Sequence, residues 1–272
     1  QIGAVLDNGF AAALDIPGFN YKPQYYDEAY AKLPQRLILG SETASTVSSR
    51  GVYHFPVDWA EHNVHEHPDH QSNSYDNESC FWSNTPDLDF VMDDDREWVI
   101  GQFVWTGFDY LGEPSPYDTD AWPSHSSVFG IIDLASLPKD RFYLYRSKWN
   151  ETDTTLHILP HWTWKGREGE VTPVFVYTNL PKAELFINGK SQGVREKNMS
   201  SPPERYRLLW YETVYEPGEL KVVAYDSAGK AVAEKSVRTA GKPSRLVVTP
   251  LRTEARDDGD DLVYFTVTVE DR

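Results

Sequence analysis

Apolar runs that favour β-strands alternate with a helical pattern over the first 150 residues. The pattern predicts three buried strands, which lie within 11–21, 36–42 and 97–114. Between the first two strands, the helical pattern at 26–34 is stopped by Pro34. Strands that alternate with helices predict a parallel α/β sheet or barrel, with polar and aromatic residues gathered where each strand stops.

A long polar segment at 54–95 separates the second and third predicted strands. Connections of this length in compact domains are usually functional or contain small elements of their own. We therefore expect this segment to form a wall of a substrate pocket.

The pattern changes after about residue 155 to short alternating runs divided by turn signals. The turn signals are Gly-containing pairs, at 188–189, 217–218 and 228–229. Such spacing predicts an antiparallel β-sandwich of the immunoglobulin type over 151–240. Trp162 and Trp164 are predicted on its first strand, where alternation puts both on one face, either to bind polysaccharide or, more plainly, to pack against the preceding domain.

Residues 240–244 have the composition of a linker, and strand patterns resume after them. The sequence thus predicts three parts: 1–150, the sandwich at 151–240, and the start of a further β-domain at 241–272. Because two or three strands do not make a domain, the chain is expected to be cut at both ends.

The charge balance excludes one class of partner. The chain has 272 residues with 42 acidic and 26 basic side chains, for a formal net charge of −16, whereas binding to phosphate backbones needs clustered Lys and Arg. No apolar run approaches the roughly 20 residues that cross a bilayer. The single cysteine, Cys80, leaves no internal disulfide to form. We therefore expect neither a nucleic-acid partner nor a membrane span.

Aromatic residues make up 14% of the chain, including 9 Trp and 16 Tyr, which is enough to change the expected ligand. Many stand beside Asp, Asn and Gly, as in FVWTGFDY and HWTWKG. Aromatic faces stack on the C–H faces of sugars while polar neighbours bond the hydroxyls, so this mixture favours a carbohydrate site. The alternative for any one Trp is simple core packing.

Glu42 is the first candidate for chemistry, because it comes directly after the apolar strand LILGS. Enzymes built on parallel sheets keep their reactive groups at that end of the strands. Hydroxyl and guanidinium groups that follow, among them Ser45 and Arg50, would keep the carboxylate ionised, which suits a nucleophile rather than an acid. An ordinary loop glutamate is the alternative.

Four segments of the chain occur together in a specific order: 40–56 (GSETASTVSSRGVYHFP), 101–117 (GQFVWTGFDYLGEPSPY), 126–149 and 174–193. Together they resemble the carboxyl-terminal part of glycoside hydrolase family 2 enzymes, most of all the bacterial β-galactosidases, over essentially residues 1–240. The resemblance implies a (β/α)8 TIM barrel followed by immunoglobulin-like domains, and hydrolysis of β-glycosidic bonds with retention of configuration.

The resemblance also implies roles for particular residues. The three predicted strands match the sixth, seventh and eighth barrel strands, and Glu42 matches the family's nucleophile at the end of the seventh. Trp105 matches an aromatic residue that lines the sugar subsite. Tyr21 corresponds to a tyrosine that contacts the nucleophile, and Asn20 beside it is a further substrate-binding candidate.

Retaining hydrolysis needs a second carboxyl group, about 5 to 5.5 Å from the nucleophile. In the family this acid/base is the Glu of an Asn-Glu pair after the fourth strand. Neither Asn77-Glu78 nor Asn150-Glu151 follows a predicted buried strand. The acid/base is therefore expected upstream of this chain, and the chain alone is expected to be inactive.

Two acidic residues just beyond the third predicted strand are weaker candidates for sugar binding. Glu113 is expected to line the pocket or bond a hydroxyl, with a surface glutamate as the alternative. Asp109 is expected either to bond sugar hydroxyls or to close a turn.

A group of histidines, His62, His65, His67 and His70, invites a metal hypothesis. Their spacing matches no recognised metal motif, and Pro68 breaks any helix that would align them. A solvated loop is the expected structure, and we expect neither a metal nor another cofactor.

The expected substrate is an oligosaccharide or polysaccharide with terminal β-D-galactosyl residues, cleaved by double displacement. β-Glucuronidases and β-mannosidases share the architecture and are alternatives, although a glucuronidase needs a cation for the sugar carboxylate, and Arg50 and Lys22 are not clearly placed for it. A non-catalytic carbohydrate-binding or scaffolding piece is the alternative from another class. Exposed strand edges favour pairing into a homo-oligomer, and the resemblance implies a periplasmic or extracellular bacterial enzyme.

Overall fold

The computed structural model describes residues 2–58, 67–112, 114 and 125–272. Within these ranges the α-helices are short, and they are α1 (Ile2–Asp7), α2 (Tyr26–Lys32), α3 (Pro86–Asp94), α4 (Asp140–Trp149) and α5 (Pro202–Tyr206). Single 3-10 turns occur at Ala11–Ala13 and Pro23–Tyr25. The helix α2 matches the helical pattern of the sequence.

The first sheet consists of three parallel strands, β1 (Gly18–Asn20), β2 (Ile38–Thr43) and β3 (Val99–Val104), with β2 in the middle. All three strands predicted within the first 150 residues are therefore present, and each is shorter than its apolar run. Pairing of the first run starts only at Gly18, because Pro17 has no amide hydrogen to donate to a ladder.

The apolar face of this sheet packs against α2. Tyr26 and Ala29 of the helix, and Leu33 directly after it, lie with Phe19 and Ile38 of the strands in one buried cluster. Their spacing of three and four residues puts them on one side of the helix. The helix α2 therefore covers one face of the sheet.

The long segment between β2 and β3 contains a helix and folds back on the end of β2. The helix is α3, in agreement with the expectation of small elements. Upstream of it, backbone hydrogen bonds join residues 72–80 to residues 45–52; Val47 N, for example, donates to Glu78 O at 3.0 Å. Residues 72–79 are buried as a consequence, although most of them are polar.

Seven antiparallel strands follow, and they are β4 (Leu156–Leu159), β5 (Val174–Thr178), β6 (Lys182–Ile187), β7 (Lys190–Glu196), β8 (Leu208–Trp210), β9 (Glu219–Tyr225) and β10 (Ala231–Arg238). They form one sheet in the order β4-β5-β8 and a second in the order β10-β9-β6-β7. Both sheets contribute to one apolar core, in which Val176 and Leu208 meet Leu185 and Val222. This two-layer arrangement occupies the region for which the sequence predicts a sandwich.

The predicted placement of Trp162 and Trp164 on the first strand of this unit is wrong. The strand β4 ends at Leu159, because the following Pro160 cannot donate to a ladder, and both tryptophans lie in the loop beyond it. Trp162 is buried in the shared core, where its Nε1 donates to Glu216 O at 2.9 Å, whereas Trp164 is only partly buried. The two side chains do not form one exposed face.

The strand β5 is buried at every position because it packs on both of its faces. Val174 and Val176 point into the core shared by the two antiparallel sheets, whereas Phe175 and Tyr177 belong to a second cluster with residues of α3 and α4 such as Phe90. The antiparallel unit is therefore joined to the first part of the chain through a continuous apolar contact.

Charged side chains are buried at the same junction. Arg207 Nη2 lies 3.2 Å from Asp87 Oδ1, and the Tyr177 hydroxyl donates to Asp76 at 2.5 Å. Arg141 Nε lies 4.0 Å from Asp76 Oδ1. Because buried charges are costly without a partner, the Arg207–Asp87 and Tyr177–Asp76 contacts, which cross the junction, hold the two parts together.

The last strands, β11 (Arg245–Pro250) and β12 (Phe265–Glu270), pair with each other as a two-stranded antiparallel sheet. Apolar residues on both are exposed, among them Leu246 and Val267. Among the described residues, no helix is long and apolar enough to span a membrane.

Candidate active site

Glu42 lies at the carboxyl end of β2, between the ends of its two neighbours. Its Cα pairs with that of Asn20 in β1, and its carbonyl oxygen accepts the Tyr21 amide hydrogen at 2.9 Å. The preceding residue, Ser41, donates from its hydroxyl to Asn20 Oδ1 at 2.7 Å. Strand pairing thus brings together Asn20, Tyr21 and Glu42, which are all site candidates from the sequence.

A glycine is required just before this position. A Cβ added at Gly40 would come within 2.9 Å of the Thr43 methyl group and 3.0 Å of the Tyr26 hydroxyl. Any larger side chain would therefore push the end of β2 away from α2 and displace Glu42.

Tyr21 places its hydroxyl on the Glu42 carboxylate. The backbone of Tyr21 has a positive φ of 54°, which turns the chain at the end of β1. The hydroxyl interacts with Glu42 and with Ser45, and burial together with the Glu42 charge raises its pKa well above the ordinary tyrosine value. The hydroxyl therefore stays protonated at neutral pH and acts as a hydrogen-bond donor to the carboxylate.

Trp105 follows β3, and its amide hydrogen is donated to Thr43 O at 2.9 Å, which places it beside the residue after Glu42. Its ring is partly buried and packs on a small cluster that includes Cys80 and Phe129. Trp82 packs on the same cluster, and Lys22 Nζ lies 3.5 Å from its carbonyl oxygen. The aromatic wall near Glu42 therefore contains two tryptophans.

Sequence reasoning about site residues missed Trp82. It lies in the long polar segment, within the stretch CFWSN, which the sequence offers as a pocket wall without naming a residue. Two contacts bring this stretch to Glu42: Cys80 N donates to Ser45 O at 3.1 Å, and Ser45 N donates to the Ser83 hydroxyl at 2.7 Å. The signal available in the sequence for Trp82 was the pair of adjacent aromatic residues in this stretch, which is set among turn-forming residues.

Cys80 is a buried free thiol beside this site. Burial raises the pKa of its thiol to about 12, so that the thiolate is scarce at neutral pH. The side chain acts as a small apolar residue that supports the tryptophans.

Asp109 is held by buried partners. Its carboxylate lies 2.8 Å from Lys139 Nζ and accepts the Gly130 amide hydrogen at 2.8 Å. Burial lowers the pKa of the Lys139 ammonium to about 8 despite this neighbouring charge. These contacts favour the turn-closing alternative for Asp109 over the sugar-binding one. The other acidic candidate of this region, Glu113, lies outside the described residues.

The two cations weighed as partners for a sugar carboxylate have other contacts. Arg50 Nε lies 2.5 Å from Asp133 Oδ2, and Lys22 contacts Trp82 O. A bound anionic sugar would therefore have to compete with Asp133 for Arg50.

Both Asn-Glu pairs lie in loops, outside the helices and strands. Glu78 is buried, with its carboxylate 2.7 Å from His67 Nε2, and Glu151 is exposed in the turn after α4. Their placement agrees with the interpretation of both as loop residues.

Asp89 in α3 is a buried carboxyl group whose side chain lies against the backbone amide of Ala44, two residues after Glu42. Burial, with the nearby charges of Asp93 and Asp87, raises its pKa from 3.8 to about 8. The Asp89 carboxyl group is therefore mostly protonated, and uncharged, in the folded protein at neutral pH.

We expect Asp89→Asn to flatten the dependence of stability on pH. The folded pKa of Asp89 lies above its unfolded value, so its contribution is complete below pH 3.8 and is lost as pH rises towards about 8. Within that window the loss approaches roughly 1.4 kcal/mol per pH unit. Thermal unfolding of the full-length protein between pH 5 and 9 measures it, with exposed Asp257→Asn as the control. Parallel curves for wild type and Asp89→Asn would show that Asp89 does not titrate this way.

Comparison with known proteins identifies a matching domain family and several relatives of this chain. Residues 169–233 match the model of a domain of unknown function, DUF4982. The β-galactosidase BoGH2A of Bacteroides ovatus is 39% identical over 267 residues, which is 96% of this chain and 30% of that protein. A putative β-glucuronidase of Formosa agariphila is 37% identical over 183 residues, covering 65% of this chain and 16% of that protein. The chain thus spans less than a third of the length of these relatives.

Solved structures resemble the chain over almost its whole length. A β-glycosidase from Bacteroides vulgatus matches with a TM-score of 0.78 at 29% identity, over 95% of this chain and 35% of that one. A glycosyl hydrolase family 2 member from Bacteroides cellulosilyticus matches with a TM-score of 0.72 at 26% identity, over 97% of this chain and 32% of that one. The names of the relatives agree on glycoside cleavage and differ in the sugar.

Proposed function

We propose, from the premise that this chain belongs to glycoside hydrolase family 2, that the protein hydrolyses terminal β-D-galactosides with retention of configuration and that Glu42 is its nucleophile. One observation carries the proposal. Glu42 lies at the carboxyl end of the middle of three parallel strands, with the Tyr21 hydroxyl at its carboxylate. This is the edge at which enzymes built on parallel sheets hold their reactive groups.

The proposed reaction has two displacements. A Glu42 carboxylate oxygen attacks the anomeric carbon, and the bond to the leaving-group oxygen breaks while that oxygen takes a proton from an acid. Water then attacks the anomeric carbon of the glycosyl-enzyme, gives its proton to the same group, now a base, and releases the Glu42 carboxylate. The acid/base is proposed to lie in the protein outside this chain.

Neighbouring residues position the nucleophile and the sugar in this proposal. The protonated Tyr21 hydroxyl holds the carboxylate in one orientation before attack. Trp105 provides an apolar face for the sugar ring, and Asn20 and Glu113 remain predicted contacts to hydroxyls, whereas Asp109 is already held by Lys139 and Gly130.

The family membership also supports a proposal for the domain architecture. We infer that β1, β2 and β3 are the sixth, seventh and eighth strands of a (β/α)8 barrel within 1–150. The two antiparallel sheets would be an immunoglobulin-like domain at 151–240, and β11 and β12 the start of a further β-domain at 241–272. A periplasmic or extracellular location and homo-oligomer formation belong to the same proposal.

The choice of galactoside rests on the surrounding charges. The B. ovatus relative, which matches 96% of this chain, is named a β-galactosidase. The β-glucuronidase named among the relatives supports the alternative substrate. A glucuronide, however, brings a carboxylate that needs a cation, and Arg50 is already paired with Asp133. An anionic sugar bound without a cation would be penalised by desolvation.

We expect the full-length protein to hydrolyse p-nitrophenyl β-galactoside with a kcat/KM roughly 100-fold above those for the β-glucuronide and the β-mannoside. Arg50→Gln is the matched control, because it should leave this ratio unchanged if Arg50 serves only Asp133. A preference for the glucuronide that disappears in Arg50→Gln would make the protein a β-glucuronidase. Absence of activity on all three substrates would favour a non-catalytic role.

A further inference from the structure

Two histidines and a glutamate meet in the segment that folds back on the end of β2. His54, His67 and Glu78 each offer a ligand atom, and these atoms lie within 4.8 Å of one another. We propose that this group, the His–Glu cluster, binds one Zn²⁺ ion. The site is separate from Glu42 and does not depend on the proposed glycosidase activity.

The donor set suits zinc. Two imidazoles and one carboxylate are a common protein ligand set for zinc, with a fourth position left for water. Nitrogen ligands favour first-row transition metals over Mg²⁺ and Ca²⁺, which prefer oxygen. The spacing of the histidines along the sequence gave no sign of this site, because two of its three ligands lie outside the histidine-rich stretch.

His54 is oriented for binding through one ring nitrogen. Its Nε2 lies 3.1 and 3.2 Å from the two Asp69 carboxylate oxygens. Its Nδ1 is buried, and it has no hydrogen-bond partner among the residues that the structure describes. A carboxylate on one nitrogen and a vacant lone pair on the other is the arrangement of histidines that bind metals, since the carboxylate fixes the ring and its tautomer.

Glu78 provides a carboxylate that is almost completely buried, with 1% of the side chain exposed. Its Oε1 lies 2.7 Å from His67 Nε2, and its Oε2 accepts the Asn73 amide hydrogen at 3.3 Å. A buried carboxylate is stabilised by a nearby positive charge, and a divalent cation supplies more of it than a histidine does. Asn73 would keep the carboxylate in place.

Zinc binding requires the three side chains to rearrange, since their ligand atoms now lie within 4.8 Å of one another and not at the separations of a bound ion. Tetrahedral zinc with bonds of about 2.0 to 2.1 Å separates neighbouring donor atoms by about 3.3 Å. The contact between His67 and Glu78 would lengthen by about 0.6 Å on that basis. The rings of His54 and His67 are stacked with centroids 3.6 Å apart and 16° between their planes, so they must tilt for their lone pairs to converge on one ion.

The ion has a path to solvent. Tyr53, Phe55, Asn77 and Arg167 line, with the cluster, a cleft of about 500 Å³. Arg167 is the nearby cation that would oppose binding, but its guanidinium pairs with Glu170 at 2.7 Å and lies 3.9 Å from the Phe55 ring centroid. The cleft therefore leaves the open coordination position accessible to water.

A bound ion would link two stretches that already pair through their backbones. His54 lies in the part of the chain that follows β2. Glu78 lies in the part that returns along it, and its carbonyl oxygen accepts the Val47 amide hydrogen at 3.0 Å. Binding to the folded state alone stabilises that state. The expected role of the ion is to hold this segment against the end of β2.

Titration of Zn²⁺ into chelator-treated full-length protein tests the proposal. We expect one ion per cluster with a Kd below about 1 μM, and a Tm that rises with Zn²⁺. His67→Gln and Glu78→Gln should each weaken binding at least about 100-fold, and Asp69→Asn should weaken it by about 10- to 100-fold through its effect on His54. No zinc binding by the wild-type protein would overturn the proposal.

His157→Gln is the matched control, because His157 lies 2.6 Å from Asp140 in a histidine–carboxylate pair to which the structure adds no third ligand among its described residues. This variant should bind Zn²⁺ as the wild type does. Zinc retained in Glu78→Gln, or lost equally in His157→Gln, would assign the ion elsewhere. X-ray absorption spectroscopy of the wild-type zinc complex identifies the ligands even if the variants misfold. Two imidazole ligands together with oxygen ligands would support the site, and any other ligand set would contradict it.

Discussion

Replacing Glu42 by Gln should lower kcat of the full-length protein on p-nitrophenyl β-galactoside by roughly 10⁴-fold or more, the scale seen when a nucleophile is removed. The amide keeps the size and the hydrogen bond of the side chain at Tyr21 but has no negative oxygen to attack the anomeric carbon. KM should change much less, because Glu42 acts mainly in the transition state. Steady-state kinetics on the galactoside, with folding checked by circular dichroism, measure both.

A chemical rescue separates a nucleophile from a residue that only supports the site. In Glu42→Gly, added azide can attack the anomeric carbon from the vacated side, and the product is a glycosyl azide of inverted configuration. Glu151→Gln is the matched control, because it alters an exposed glutamate after an asparagine and should leave kcat unchanged. Near-normal activity of Glu42→Gln would show that Glu42 is only a well-placed surface carboxylate.

Replacing Arg207 by Met should destabilise the junction between the parallel and antiparallel parts by about 3 to 5 kcal/mol, the usual effect of breaking a buried ion pair. Arg207 and Asp87 are both buried, with 3.2 Å between their charged groups. Met fills the space of the Arg stem but leaves the Asp87 charge without its partner. Native-state hydrogen exchange at amides of β5 and β8 in the full-length protein reports the opening free energy.

Two further variants test the reason for this loss. Arg238→Met breaks an exposed pair with Glu219, in which 76% of the arginine side chain is accessible, and should cost less than about 1 kcal/mol. Asp87→Leu combined with Arg207→Met removes both charges and should restore part of the stability. Equal losses for Arg207→Met and Arg238→Met would contradict the electrostatic account of the junction.

Local pattern predicted much of the fold. The apolar runs around Phe19, Ile38 and Val99 predicted the three strands, because buried parallel strands are continuous apolar segments. Alternation predicted the antiparallel strands, and Asn188-Gly189 forms the turn between β6 and β7, with both residues at positive φ. The misplacement of Trp162 has a local cause as well: alternation continues past Pro160, whereas the ladder cannot.

The sequence by itself determined that a carboxylate, Glu42, ends a buried strand. Only the tertiary structure placed Trp82 on the same cluster as Trp105, because a returning loop, and no local pattern, brings it there. The same holds for the His–Glu cluster and for Arg207 with Asp87, which are 120 residues apart in sequence. Periodicity along the chain reports burial, whereas side-chain chemistry at a site depends on distances that long-range packing alone sets.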